Sequence, residues 1–258
     1  MSDYLPSPEE AAKRRDPREP KRLEKEKAED ELAGIIGKLF RAQKKLITDR
    51  LTWRFPERKA ADDWGDELDP DEYDDIMAEL VIRLKKSALS GIDIAAASLP
   101  MLDPDPTAAR AAKWAANYAY SLIRDVNQTT IKAIRSAITA FTQTPGMTIG
   151  DMVDMIPLSP DRALRIAVTE TTRAYAEGER MAGIEMRDQF PDMQLYKEWF
   201  TNNDDLVCEI CAPLDGMVVK FEEGFTIEDD KSIGLDGPAA HPNCRCWMSV
   251  YTDITKDA

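Results

Sequence analysis

The sequence predicts an α+β protein, with a mostly α-helical body followed by a small C-terminal β-rich module. Three observations carry this. Apolar residues recur at three- and four-residue spacings through several long segments before Pro191. After Leu195 the pattern changes to short β-branched and aromatic runs punctuated by glycine. All four cysteines and the one histidine fall between positions 208 and 246.

Residues 1–22 hold Pro6, Pro8, Pro17 and Pro20 among charges and read as a disordered or extended arm. A helix is expected from Leu23 to Leu51, with Leu32, Ile35, Ile36, Leu39, Phe40, Leu46 and Ile47 on one stripe. Pro56 and the acidic stretch to Asp71 form a loop or helix start. Asp69-Pro70 then opens a helix as N-cap and first helical position, expected to end near Gly91. The Pro/Asp cluster from Pro100 to Pro106 breaks the chain. A long helix should follow from Thr107 to Phe141, closed by Thr144-Pro145-Gly146. Thr148 caps a short helix to Ile156, and Ser159-Pro160 opens another that ends before Pro191. Strands are expected at 195–200, 217–221 and 247–251. The resulting organisation is an arm (1–22), a helical N-terminal region suited to docking (23–104), a second helical part (105–192) and a β module (193–258).

Composition bounds the function. With 258 residues the chain can bury a sizeable core. It has no apolar run long enough to cross a membrane, and its N-terminus lacks the apolar stretch of a secretory signal. A protein made and kept in a cytosol is expected. The net charge of -14 is uneven. Residues 1–60 carry 16 basic against 12 acidic side chains, whereas Ala61 to Glu79 hold ten acids and no base. That acidic run reads as a solvated surface, with a docking strip for a basic partner as the sharper alternative. Residues 201–258, with four bases and twelve acids, have the wrong sign for a phosphate-binding zinc ribbon. The arm around Lys13, Arg14, Arg15, Arg18, Lys21 and Arg22 is a candidate weak DNA contact, against the simpler reading of a solvated tail.

The β module has strands too short and few to stand alone, so it needs a staple. Cys208-x-x-Cys211 is spaced so that both thiolates of a tight turn face one metal. His241 and Cys244 repeat the two-residue gap, and Cys246 follows at i+2. Zinc takes four tetrahedral nitrogen or sulfur ligands, and five candidates converge: Cys208, Cys211, His241, Cys244 and Cys246. A structural Zn2+ site of Cys208, Cys211, His241 and Cys244 is preferred, giving a zinc-stapled module, with Cys246 as the rival fourth ligand. All four cysteines with His241 behind them is a further arrangement. A redox dithiol or two disulfides compete; no βαβ setting precedes the CxxC. There is no Gly-rich phosphate loop and no HExxH, and the lone histidine leaves no Ser-His or Cys-His pair. No catalytic residue is assigned and a non-enzyme is expected. Glu170 is a possible buried carboxylate, read as an ion pair with Arg173 or a neighbour. Asp204 and Asp205 read as turn residues.

The C-terminal half resembles a known family. Its helix Ala163-Leu-Arg-Ile-Ala-Val-Thr-Glu-Thr-Thr-Arg-Ala-Tyr-Ala-Glu-Gly178 is followed by Lys197-Glu198-Trp199. Then come Asp205-Leu-Val-Cys-Glu-Ile-Cys211, Leu214-Asp215-Gly216 and His241-Pro-Asn-Cys-Arg-Cys246. This order is similar to the phage head morphogenesis domain, the minor head protein family typified by the phage Mu F protein, over about residues 105–252. Members usually have Asn where Ala176 stands. The resemblance implies a minor structural (minor capsid) protein of a tailed-phage or prophage head. Such a protein associates with the portal and assists capsid morphogenesis and DNA packaging or delivery. It implies the portal protein as partner, with major capsid or scaffolding protein as further candidates and no membrane. It places the chain in the virion at the portal vertex, and in host cytoplasm during assembly. Some relatives carry an appended toxin or ADP-ribosyltransferase domain; with the sequence ending at Ala258, none is expected after the HPNCRC motif. The rival reading is a zinc-dependent hydrolase or other phage enzyme acting during infection, whose zinc would keep three protein ligands and a water.

Overall fold

The computed structural model describes residues 16, 18–54, 68–227 and 230–253. Among the described residues five α-helices come first: α1 (Arg22–Arg54), α2 (Asp74–Ser98), α3 (Pro104–Gln143), α4 (Ile149–Asp154) and α5 (Pro160–Gln189). Five strands follow: β1 (Leu195–Phe200), β2 (Val218–Lys220), β3 (Phe225–Ile227), β4 (Asp230–Leu235) and β5 (Trp247–Thr252). The α+β reading holds. β1 is the centre of an antiparallel sheet of order β2-β1-β5, and β3 and β4 form a separate antiparallel hairpin.

Local signals start the helices. Asp69 accepts from the Asp71 N–H ahead of a 3-10 turn, Pro70–Tyr73, that leads into α2. Thr148 and Asp151 cap α4 reciprocally, each side chain bonded to the other's backbone N–H. Ser159 accepts from the Arg162 N–H at 3.2 Å, with Pro160 at the first helical position of α5. α3 begins at Pro104 rather than Thr107, because Asp103 caps it by accepting from the Asp105 N–H at 3.1 Å. Pro104 and Pro106 fit within the first turn, where an N–H has no intrahelical acceptor to lose.

α2 does not end near Gly91 but runs to Ser98. The glycine marks a crossing. A Cβ at Gly91 would lie 2.1 Å from the Tyr175 carbonyl oxygen of α5, and one at Gly178 would lie 2.0 Å from the Ala88 carbonyl oxygen of α2. The two backbones touch there, so α2 and α5 share an extended interface. α5 also packs on α1, α3 and β5. It therefore belongs to two cores. Its first half joins Leu32, Leu39, Ile47, Leu84, Ile123 and Ile134 in the helical body. Its second half, through Ala182 and Met186, joins Trp199, Leu214, Phe225 and the cysteines. Gly183 is the seat of the module: a Cβ there would lie 2.3 Å from the Phe221 ring.

The β3–β4 hairpin is absent from the sequence expectations, in which the glycines after Leu195 only separate strands. A Cβ at Gly224 would meet the Gly234 Cα at 3.0 Å, which is how closely the hairpin strands approach. Lys13, Arg14, Arg15, Pro56 and the acidic run up to Glu67 lie outside the described residues. The end of the expected arm is packed down: Asp16 and Glu19 are buried. Arg18 forks onto Asp16, Lys21 reaches Asp93 at 2.8 Å, and Arg22 lies 3.9 Å from Glu26. No helix among the described residues is long and apolar enough to cross a membrane.

Two predictions follow from the helix contacts. Gly178→Ala and Gly91→Ala should each destabilise the fold by about 1–3 kcal/mol, since a backbone carbonyl must move. Gly34→Ala, with nothing within 4 Å of the new Cβ, should be neutral or gain about 0.5–1 kcal/mol in the same urea titration. The second concerns Glu179, whose complete burial pushes its pKa well above 4.5. The unfolded chain releases this proton near the ordinary carboxylate value while the folded chain keeps it. This residue's contribution to stability therefore falls as pH rises above about 4.5. Glu179→Gln should gain on the wild type as the pH is raised above about 4.5, measured as the difference in unfolding free energy at each pH.

Candidate metal centre

Two tight turns carry the donors. In the first, the Cys208 carbonyl accepts from the Cys211 N–H at 3.1 Å and the Ala212 N–H at 2.9 Å. A 3-10 turn, Ala212–Leu214, and Gly216 at φ 71° then lead the chain into β2. In the second, the His241 carbonyl accepts from the Cys244 N–H at 3.2 Å, with Asn243 between them at φ 65°. Asparagine tolerates this left-handed conformation better than most side chains. The Asn243 N–H donates to Thr169 Oγ1 of α5 at 2.7 Å, which pins the turn to the long helix.

The turns face each other. His241 Nε2 lies 3.0 Å from Cys208 Sγ and 3.1 Å from Cys211 Sγ, and Cys211 Sγ lies 3.9 Å from Cys244 Sγ. Cys208, Cys211 and His241 have their donor atoms within 4.8 Å of one another, as do Cys211, Cys244 and Cys246. Cys211, 2% exposed, belongs to both groups. All five side chains singled out in the sequence are thus brought together around it, and none of the cysteines is in a disulfide. His241 Nδ1 lies 2.8 Å from the Pro242 carbonyl oxygen. That contact suits a proton on Nδ1 and leaves the Nε2 lone pair facing the sulfurs.

Burial and mutual hydrogen bonding polarise the thiols. Cys211 and then Cys246 donate to Cys244, which pulls the Cys244 pKa well below the usual thiol value. Cys211 is pushed up by its bonds to Cys244 and Cys246 and by burial. Cys246 is pulled down by Cys211, but its bond to Cys244 and its burial raise it overall. Without a cation the three buried sulfurs favour one shared negative charge. A thiophilic dication would let the remaining thiols ionise, so the donor set fits a soft metal held by nitrogen and sulfur. A cavity of about 30 Å³ adjoins the cluster, lined in part by Asn202, Leu206, Asn243 and Arg245. It has room for about one small occupant, not a substrate.

The surrounding residues go beyond the sequence reading. Asp204 is a turn residue, its Oδ1 accepting from the Leu206 N–H at 3.0 Å, but it also grips Arg245 through contacts of 3.1 Å. This pair ties the loop before Cys208 to the residue between Cys244 and Cys246. Opposite charges at that distance in sequence carry no local signal. Glu170 is buried and accepts from Tyr118 of α3 at 2.6 Å and from Arg173, one turn on in α5, at 3.1 Å; the second is the ion pair expected of it. Burial raises the Glu170 pKa, and Arg173 opposes this. Lys197 points inward in β1, against its chemistry. Its Nζ donates to the Asp236 carbonyl at 3.0 Å and sits 5.2 Å from the centre of the Phe225 ring.

The cluster and the helix that holds it lie within one stretch of recognisable sequence. Residues 122–249 match the protein family described as Phage Mu protein F like protein. No curated protein and no solved structure matches the chain. From the C-terminal half of α3 to β5, the chain carries a domain of the Phage Mu protein F like family.

Proposed function

We propose that this protein is a minor structural component of a tailed-phage or prophage head, in which a zinc ion staples the C-terminal module. The observation that carries the reading is a coincidence of position. The family match over residues 122–249 spans the whole Cys/His cluster and α5, the helix onto which the cluster is pinned. In this reading the protein associates with the portal during assembly in host cytoplasm and remains in the virion. There it assists capsid morphogenesis and DNA packaging or delivery. Major capsid or scaffolding protein and a weak DNA contact by the basic arm are secondary interactions. The role is structural rather than catalytic.

Cys208, Cys211, His241 and Cys244 would hold the metal, with Cys246 as the alternative to Cys244. A metal at this centre supplies cross-linking: it ties the turn after β1 to the turn before β5. Filling all four positions from the protein leaves none for a reactive water, as in structural zinc sites. Metal binding of this kind is worth about 10–16 kcal/mol in small zinc peptides, enough to hold a module of short strands. Donation from His241 Nδ1 to the Pro242 carbonyl would orient the imidazole.

The functional reading is tested by co-expression with the portal protein of the same phage or prophage. Co-purification of the two from assembling cells is expected, and a full failure to associate would overturn the portal assignment. The metal reading is tested by elemental analysis of protein purified without chelator. One zinc per chain is expected, lost from Cys208→Ser, Cys211→Ser and His241→Ala. Of Cys244→Ser and Cys246→Ser, the one that retains zinc identifies the sulfur that is not a ligand. Absorption of a cobalt-substituted sample separates four protein ligands from three plus water, and the latter would favour an enzyme.

A further inference from the structure

We propose that the outer face of α1 is a docking surface for a second copy of this chain, whose own α1 lies antiparallel across the first. The inference is independent of the metal reading and of the portal assignment.

This face is charged at its ends and bare in its middle. Asp30, Gly34 and Arg41 are exposed, and with Gly37 they recur every three or four positions, on one side of the helix. Asp30 and Arg41 are opposite in charge, and neither has an ion-pair partner among the described residues. Eleven positions, about 16 Å of helix, separate them, so they cannot meet within one chain. Between them runs a groove of about 360 Å³, walled by Gly34, Gly37 and Phe40 of α1 and by Leu158, Pro160 and Leu164 at the start of α5. Asp30 and Arg41 both line it.

The fold itself makes no use of these two glycines. At Gly91, Gly178 and Gly183 a Cβ would strike backbone or ring atoms. At Gly34 it would meet nothing within 4 Å, and at Gly37 only the Arg41 Nη1 at 3.4 Å. Glycine inside an exposed helix weakens it relative to alanine. A backbone approaching closely from outside the chain gives the bare surface a purpose, by the device that joins α2 to α5.

The charges identify that backbone. An occupant must bring a cation to Asp30 and an anion to Arg41, with small residues between. α1 does so itself. Turned end for end about the midpoint between Gly34 and Gly37, it exchanges Gly34 with Gly37, Asp30 with Arg41 and, one turn outward, Glu26 with Lys45. Opposite charges meet at both outer layers. Such a contact is isologous, each Asp30–Arg41 pair occurring twice across a two-fold axis. The same register brings Lys27 towards Lys44, but each already has an acid, Glu31 at 3.9 Å and Asp154 at 3.3 Å. A parallel pair would instead set like charges against each other at every layer, so the charges also fix the direction.

Sedimentation velocity of the full-length chain from about 1 to 200 μM tests this, since an interface of one helix face is small and its dimer weak. A monomer–dimer equilibrium is expected. Gly34→Gln, whose side chain the single chain accommodates, should keep or raise the urea midpoint yet weaken the dimer at least about tenfold. Asp30→Arg and Arg41→Asp should each weaken it by a similar factor, because like charges then face each other. An equimolar mixture of these two variants should dimerise at least as well as the wild type, a recovery that misfolding of either could not produce. A wild type that is monomeric throughout would overturn the proposal, as would a dimer that all three variants leave unchanged. Loss of the dimer in Gly34→Gln without recovery in the mixture would overturn the antiparallel register.

Discussion

Where α2 and α5 cross, Gly91 and Gly178 let one backbone rest on the other, and most of the architecture depends on that contact. With side chains at both positions the helices would have to separate, and the buried face of α5 would lose its match to α2. That face is mainly small: Ala167, Thr171, Ala174, Gly178 and Ala182 are all buried. Small residues give little apolar area each, so their worth lies in the close approach they permit and the dispersion contacts this brings. The larger side chains of α1 and α3 then fill the space around the pair.

The second dependence runs through α5 into the module. Its start is capped by Ser159, its middle crosses α2, and its end seats Phe221 on Gly183. Thr169 reaches the turn that carries His241 and Cys244. The candidate ligands are therefore placed by contacts with a helix made more than thirty residues earlier, as well as by their own turns.

Much of this is legible in the residues because the signals are local. Asp69-Pro70, Thr148 and Ser159-Pro160 mark helix starts where the chain makes them, since a cap needs only its next three residues. The two-residue gaps of Cys208/Cys211 and His241/Cys244 announce turns that converge. What is not legible depends on partners far away in sequence. Gly91 reads as a stop signal until Tyr175 is seen beside it. Lys25 and Lys197 read as surface charges until Glu19, Cys246 and Asp236 enclose them. The β3–β4 hairpin has strands of three and six residues joined at an irregular register, too little pattern for alternation to show.

α5 is also a mechanical element. Its thirty residues span about 45 Å at 1.5 Å per residue, and it is embedded in one core at its start and another at its end. A load applied to the β module would pass along this rod into the helical body as compression or tension, because no flexible joint interrupts it. The short antiparallel sheet would be loaded through its seat on Gly183 and through the His241–Cys244 turn at Thr169. These two attachments lie fourteen positions apart on the rod, so a torque on the module meets a lever arm of about 20 Å. A part built this way holds its orientation under force, a property distinct from its resistance to unfolding.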